Sequence, residues 1–330
     1  MPSPWTTTLV VSLALAVAAH QYLERRALST LSHIHTDDTL YDKDKYRHIL
    51  DYDKYSIIIH GQPTLILSGE FHYWRLPDKT RWKPILEQYR SAGLNCIRIY
   101  FHWGFHSPAP GRYLFDGNRD IDHLLQVCEE LGLYVLAAPG PYICAETQAG
   151  GFPIWLAAMR EIRLRHMKTN FWKKYDPEFM FYCAEYFEHI LPILARHQIT
   201  NGANGCIIGL QIENESFQRI FGYPIGLHED MRVLAQTARK LGITVPLFTN
   251  DGFEEGSFIV KDDPKQRKKE FGVDLYGFDK YVGMYLLHMV VDVVVFSSLC
   301  CTFCWSYMWL FSFFCCTACG RGECMSTAPG

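Results

Sequence analysis

Two carboxyls flank an amide at the end of an apolar run in Ile207-Ile-Gly-Leu-Gln-Ile-Glu-Asn-Glu-Ser-Phe217. Glu213 and Glu215 are two residues apart, so on an extended strand both point to one face, with Asn214 opposite unless the backbone kinks there. A carboxyl that enters an apolar, aromatic-lined region has its pKa raised, which suits a general acid working near neutrality. The chemistry that needs such a group is cleavage of a glycosidic bond: one carboxylic acid protonates the departing oxygen and a carboxylate acts on the other side of the anomeric carbon. The bland alternative is that these are merely charged residues at a strand end. Asn214-Glu-Ser216 also matches an N-glycosylation sequon, which is set aside because an amide bound for a pocket cannot carry a glycan.

The elements that must position these groups follow from periodicity. Leu65 to Phe71, Asn95 to Phe101, Tyr134 to Ala138, Cys206 to Ile212 and Val245 to Thr249 read as strands. Between them lie helices whose apolar stripes are Trp82, Ile85, Leu86 and Tyr89, then Ile121, Leu124, Leu125, Cys128 and Leu131, then Cys183, Phe187, Ile190, Leu191 and Leu194, and last Met231, Leu234, Ala235, Ala238 and Leu241. Alternating strand and helix, with strands apolar on both faces, is the pattern of a parallel sheet covered by helices. A doubly wound sheet should show a glycine-rich phosphate loop after its first strand, and Ser68-Gly-Glu-Phe-His-Tyr-Trp-Arg75 is not one. Instead, polar and aromatic residues gather past the carboxyl end of every strand: His72, Tyr73 and Arg75; His102, Trp103 and His106; Tyr142 and Glu146; Asn214 and Glu215; Asn250 and Asp251. A barrel builds its site from those ends. The expected fold class is α/β, a TIM (β/α)8 barrel left incomplete, with about five βα units.

At these residues the sequence resembles a family. Gly140-Pro-Tyr-Ile-Cys-Ala-Glu-Thr-Gln-Ala-Gly-Gly-Phe-Pro-Ile-Trp-Leu156, with Gln211-Ile-Glu-Asn-Glu215 and Phe71-His-Tyr-Trp-Arg75, is similar to the β-galactosidases of glycoside hydrolase family 35, over about residues 55 to 281. The resemblance implies a TIM-barrel catalytic domain and retaining hydrolysis of terminal β-linked galactose. It makes Glu215 the acid/base and Asn214 the partner of the sugar hydroxyl next to the anomeric carbon. Ile143, Cys144, Ala145 and Glu146 would line the galactose site, with Glu146 accepting from sugar hydroxyls, and Tyr100 would also reach the sugar. For Tyr100 and Trp103, core packing is the alternative. Gly104 and Ser107 stand where many members have Asn and Glu, and Thr147 where many have Trp, which bears on substrate preference rather than fold. The family places its nucleophilic glutamate on a later strand, which this sequence is expected not to reach, so no turnover is expected from the chain by itself. The alternative is a galactoside-binding fragment without catalysis. No cofactor and no metal are implied.

Composition sets the remaining bounds. The 330 residues, 48% apolar and 15% aromatic, can build a sizeable core, and 32 basic against 35 acidic side chains give net charge −3, which offers nothing to a polyanion. The partner expected is a β-galactoside oligo- or polysaccharide, not nucleic acid. Leu9 to Ala19 is too short to span a bilayer comfortably and is read as a secretory signal peptide within residues 1–19, with Ala16 and Ala18 in an A-x-A pattern, hence a secreted product; an uncleaved anchor or a buried helix is the alternative. Residues 20–54 read as a linker, dense in Asp, Lys and Tyr from His35 to Lys54. Of the twelve cysteines, Cys96, Cys128, Cys144, Cys183 and Cys206 are spread among apolar neighbours and are assigned no bridge, while seven crowd into the last 31 residues. From Val293 to Gly320 nothing is formally charged. That tail, residues 282–330, has three readings: a transmembrane segment that would tether the product, zinc ligation by Cys301/Cys304 and Cys316/Cys319, or an intron or shifted frame read as protein. The third is favoured, because composition changes in mid-barrel rather than at a domain boundary.

Overall fold

The computed structural model describes Leu15, Ala18 and residues 40–53, 55–166, 176–202, 204–215, 219–220, 223–224, 228–251 and 272–278. The expected signal peptide, the C-x-x-C pairs and the uncharged tail fall outside the described residues, apart from Leu15 and Ala18.

In chain order, β1 (Leu50–Tyr52), β2 (Ile57–Ile59) and β3 (Gln62–Thr64) form a small antiparallel sheet. Then come β4 (Ser68–Glu70), helix α1 (Trp82–Ser91), β5 (Cys96–Tyr100), α2 (Ile121–Glu130), β6 (Tyr134–Gly140), α3 (Pro177–Arg196) and β7 (Ile207–Ile212). A two-stranded ribbon, β8 (Arg219–Ile220) with β9 (Tyr223–Pro224), precedes α4 (His228–Lys240), β10 (Leu247–Asp251) and β11 (Leu275–Phe278). The main sheet has six strands in the order β11-β10-β7-β6-β5-β4, every pair parallel. Each strand joins its predecessor on the same side, so the sheet winds in one direction; a doubly wound sheet would reverse its order. One-way winding is the topology of a (β/α) barrel, here present in part.

The expected stripes are the buried ones. Trp82 and Leu86 on α1, Leu124, Leu125 and Cys128 on α2, Phe187, Ile190, Leu191 and Leu194 on α3, and Met231, Leu234, Ala235 and Ala238 on α4 all lie in the core. β7, an Ile- and Leu-rich run, is buried at every position, as a strand covered on both faces must be. Helices α2 and α3 start on side-chain caps: Asp120 accepts from the His123 amide (3.1 Å) and Asp176 from the Phe179 amide (3.1 Å), with Pro177 following in the position that needs no donor.

Four expectations shift. The first strand shortens to β4 because the Asn95 side chain takes the backbone ahead of it, accepting from Leu67 N and donating to Leu65 O (both 2.8 Å). The fifth moves from Val245–Thr249 to β10, because the Val245 amide bonds the Gln198 side chain (3.0 Å) instead of a ladder. A sixth barrel strand, β11, pairs with β10 from Phe248↔Leu275 to Asp251↔Phe278, where five were expected. The end of the expected linker is folded: Tyr41 and Leu50 are buried, the Tyr41 amide donates to Asp274 (2.8 Å), and Lys43 pairs with Asp51 (2.8 Å). Cys96, Cys128, Cys183 and Cys206 are buried free thiols, and burial pushes Cys96 up to about 11 and Cys128 to about 12. Among the described residues, no helix is long and apolar enough to cross a membrane.

Candidate active site

The carboxyl end of β7 does not continue as a strand. Glu213 and Glu215 adopt φ of 61° and 46°, the left-handed region that non-glycine residues enter only when their surroundings impose it. The expectation that the two carboxylates share one face therefore fails, for the reason foreseen as its exception: the backbone kinks. Side chains bind the carbonyls that the kink frees. Gln211 Nε2 donates to Glu213 O (2.7 Å), and Arg165 Nη2 donates to Asn214 O (2.8 Å) and Glu215 O (3.1 Å).

The three side chains of the turn have different environments. Glu213 is buried; its Oε2 accepts from Arg165 Nε (2.9 Å) and its Oε1 from the Tyr142 amide (3.0 Å). Asn214 is buried with its carbonyl oxygen facing four donors: Tyr100 OH, Gln211 Nε2 and Asn250 Nδ2, each at 3.2 Å, and Arg98 Nη2 at 3.4 Å. With the oxygen so engaged, the NH2 lies on the other side of the amide. Glu215 is half-buried, and its amide donates to Asn250 Oδ1 (3.0 Å).

A second wall comes from the loop after β6, which begins at a cis Gly140-Pro141 peptide. Cys144, Ala145 and Glu146 all have positive φ (55°, 45° and 41°), and the loop closes through Ile143 N donating to Gly150 O (2.9 Å). Gly150 and Gly151 are required there, since a Cβ on the first would overlap the Tyr142 ring and on the second the Ile143 side chain. Ile143 and Ala145 pack with Tyr100, Ala138 and Trp74. Cys144 is half-buried, and the Glu146 side chain is 86% exposed, 4.0 Å from Arg75 Nη2, which also donates to Ala145 O. The structure thus brings Tyr100, Asn214, Ile143 and Ala145 together, with Glu215 next in the turn; Glu146 is exposed and lies near Arg75 instead.

The third wall is aromatic, with the Arg75 guanidinium 4.8 Å from the Trp74 ring. His72 stacks on Trp74 (5.1 Å) and Trp74 meets His102 edge-on (4.9 Å). Burial pushes both His72 and His102 down to about 4, so these rings are neutral near pH 7. Trp103, for which core packing was the alternative, is fully buried and stacks on Tyr186 at 4.8 Å. Each departure from the family pattern has a local partner. A Cβ at Gly104 would stand 2.9 Å from the Phe152 carbonyl, Ser107 Oγ donates to Ala109 O (3.2 Å), and Thr147 Oγ1 meets His102 Nε2 (3.1 Å).

Sequence reasoning missed Arg98 and Arg165. Arg98 left a signal, a lone cation in an apolar strand two residues before Tyr100 and so on its face; it bonds Gln211, and its guanidinium lies 4.6 Å from the Tyr100 ring. Arg165 left none. Among the described residues, no group of three His, Cys, Asp or Glu could hold a metal ion.

Residues 56–266 match the family model described as glycosyl hydrolases family 35. A protein named "Probable beta-galactosidase B" from Aspergillus fumigatus is 34% identical over 249 residues, which is 71% of this chain and 22% of that protein. Its namesake from Penicillium rubens is 36% identical over 210 residues, 62% of this chain and 20% of that protein. The chain therefore spans about a fifth of the length of the curated relatives it matches. Among solved structures, an exo-β-1,4-mannosidase from Opitutaceae bacterium strain TAV5 superposes with TM-score 0.52 at 17% identity, covering 70% of this chain and 41% of that one, a likeness of fold alone. On the family match and these relatives, the chain belongs to glycosyl hydrolases family 35.

Proposed function

We propose that this chain carries the acid/base half of the active site of a retaining, secreted glycosidase that removes terminal β-linked galactose. Glu215 protonates the departing glycosidic oxygen and then deprotonates the attacking water. Asn214 donates to the hydroxyl next to the anomeric carbon, while Tyr100 and the segment Ile143, Cys144, Ala145 and Glu146 hold other hydroxyls. The observation that carries this reading is the turn after β7: with its oxygen engaged by four protein donors, Asn214 has its NH2 left for a sugar oxygen, next to the partly exposed Glu215.

The same geometry supports inactivity of the 330-residue chain assayed by itself. Double displacement needs a second carboxylate on the opposite side of the anomeric carbon. We infer that neither Glu213, held by Arg165 (2.9 Å), nor Glu70, facing Arg98 (3.4 Å), fills that role. The test is to titrate the purified chain with a galactose-configured iminosugar by calorimetry and to incubate it with an aryl β-galactoside. Binding without turnover is expected. Hydrolysis that vanishes in Glu215→Gln would overturn the inactivity, and equal binding of a glucose-configured iminosugar would overturn the galactose assignment.

A further inference from the structure

Arg165 lies outside the sugar-binding set, in the short helical turn Leu164–His166 between β6 and α3. Its guanidinium nevertheless reaches all three residues of the acid/base turn: Glu213 Oε2 at 2.9 Å, Asn214 O at 2.8 Å and Glu215 O at 3.1 Å. It also lies 3.8 Å from the Tyr142 ring, and Tyr142 donates its own amide to the other Glu213 oxygen (3.0 Å). Both members of the ion pair are shielded, with 13% and 7% of their side chains exposed.

We propose that Arg165 is a positioning residue for the acid/base: pinned by Glu213 and stacked on Tyr142, it gathers the carbonyls of Asn214 and Glu215 and so fixes the direction in which the Glu215 side chain leaves the turn. The inference rests on the assignment of Glu215 made above. Successive carbonyls converge on one donor only when the backbone between them is coiled, and relaxation of Glu215 from φ 46° to an extended conformation would send them apart. A planar fork with several donors can hold a carboxylate and two carbonyls at once, which a single ammonium cannot do in the same geometry. Because Tyr142 opens the loop that carries Ile143 to Glu146, one cation ties both walls of the site together.

The experiment uses the whole chain labelled with carboxyl-13C glutamate, the Glu215 signal being the one lost in Glu215→Gln. Arg165→Ala and Arg165→Lys should both move the Glu215 resonance and its titration, and weaken the galactose-configured iminosugar roughly tenfold or more, since misplacing a group by about 1 Å is costly. Lys83→Ala, which breaks an ion pair with Glu130 (2.8 Å) away from this segment, should leave the Glu215 signal in place. An unmoved Glu215 signal in folded Arg165→Lys overturns the proposal; if the alanine variant does not fold, the lysine variant, which keeps the charge beside Glu213, decides. Failure of the unsubstituted chain to bind the iminosugar would instead remove the galactosidase reading, while the carboxyl signal would still judge the hold of Arg165 on the turn.

Discussion

Removal of the carboxylate at Asp176 tests whether one side chain holds both the start of α3 and the segment leading to Arg165. Its Oδ1 caps the helix through the Phe179 amide (3.1 Å), and its Oδ2 accepts from Arg163 N (3.0 Å) and Arg163 Nε (3.4 Å). Loss of an N-cap costs about 1 kcal/mol. Loss of the hydrogen bonds made to a charged group adds about 1.5–3 kcal/mol. Asp176→Ala should therefore destabilise the fold by roughly 3 kcal/mol, and Asp176→Asn, which keeps a capping oxygen without the charge, by roughly 2 kcal/mol. Burial by itself would raise the Asp176 pKa, but the Arg163 and Phe179 amides and the Arg163 guanidinium outweigh it and hold the carboxyl below its usual value. A folded pKa below the unfolded value of about 3.9 gives stability that is present above pH ~4 and lost as the pH falls through the folded pKa. Urea denaturation followed by tryptophan fluorescence at pH 7, 5 and 3.5 measures it. The gap between the unsubstituted chain and Asp176→Asn should be level from pH 7 to 5 and narrower at 3.5. An alanine cost under about 1 kcal/mol at pH 7, or an asparagine cost that does not shrink in acid, refutes the reasoning.

Other expectations follow from the same contacts. His106 is fully buried between Tyr73 OH (2.6 Å) and Leu114 O (2.8 Å), and burial lowers its pKa to about 3. The unfolded chain then takes up the proton first, so His106 favours the fold above pH ~6.5 and loses about 1.4 kcal/mol per pH unit below it. His106→Gln should flatten that slope by about one proton in denaturant titrations between pH 6 and 4. Gly150→Ala, at φ 60° and against the Tyr142 ring, should cost roughly 2–4 kcal/mol by denaturation. Gly93→Ala, at φ 90° with nothing within 4 Å, should cost only about 1 kcal/mol. Asn214→Asp keeps an acceptor for the four donors and gains a charge beside Arg98, so the melting temperature should hold while iminosugar binding is lost; retained binding would show that the NH2 does not face the sugar.

Sequence reading succeeded where one periodicity governed a whole element. The stripes of α1 to α4 and the unbroken apolar run of β7 needed only burial to explain them. It failed where a side chain from afar replaced a local rule. Asn95 shortens the first barrel strand, and Gln198 delays β10, each by capturing backbone that a ladder would otherwise use. The short β11 carries Gly277 at its centre and lacks a β-branched run, so its strand character comes from pairing with β10. The Tyr41–Tyr52 stretch read as part of a linker because its pairing of Lys43 with Asp51 depends on a fold that composition does not display. The left-handed turn at Glu213 and Glu215 contains no glycine, and its partners are distant in sequence: Arg165, 48 residues before Glu213, and Asn250, 35 residues after Glu215.

The site at one end of the sheet depends on a carboxylate at the other. Asp274, buried just before β11, accepts from Tyr41 N (2.8 Å), Leu247 N (2.9 Å) and Arg239 Nη2 (2.9 Å), joining the amino-terminal segment, the first residue of β10 and helix α4. Leu247 in turn fixes where β10 starts, and its register against β7 (Leu247↔Leu210, Phe248↔Gln211) brings Asn250 level with the turn. Asn250 then accepts from the Glu215 amide (3.0 Å) and donates to Asn214 (3.2 Å). A strand is stiff along its length, so an anchor at its amino end sets the height of a side chain three residues on. The amino-terminal segment that resembled a linker therefore contributes to the placement of Glu215 through a single strand.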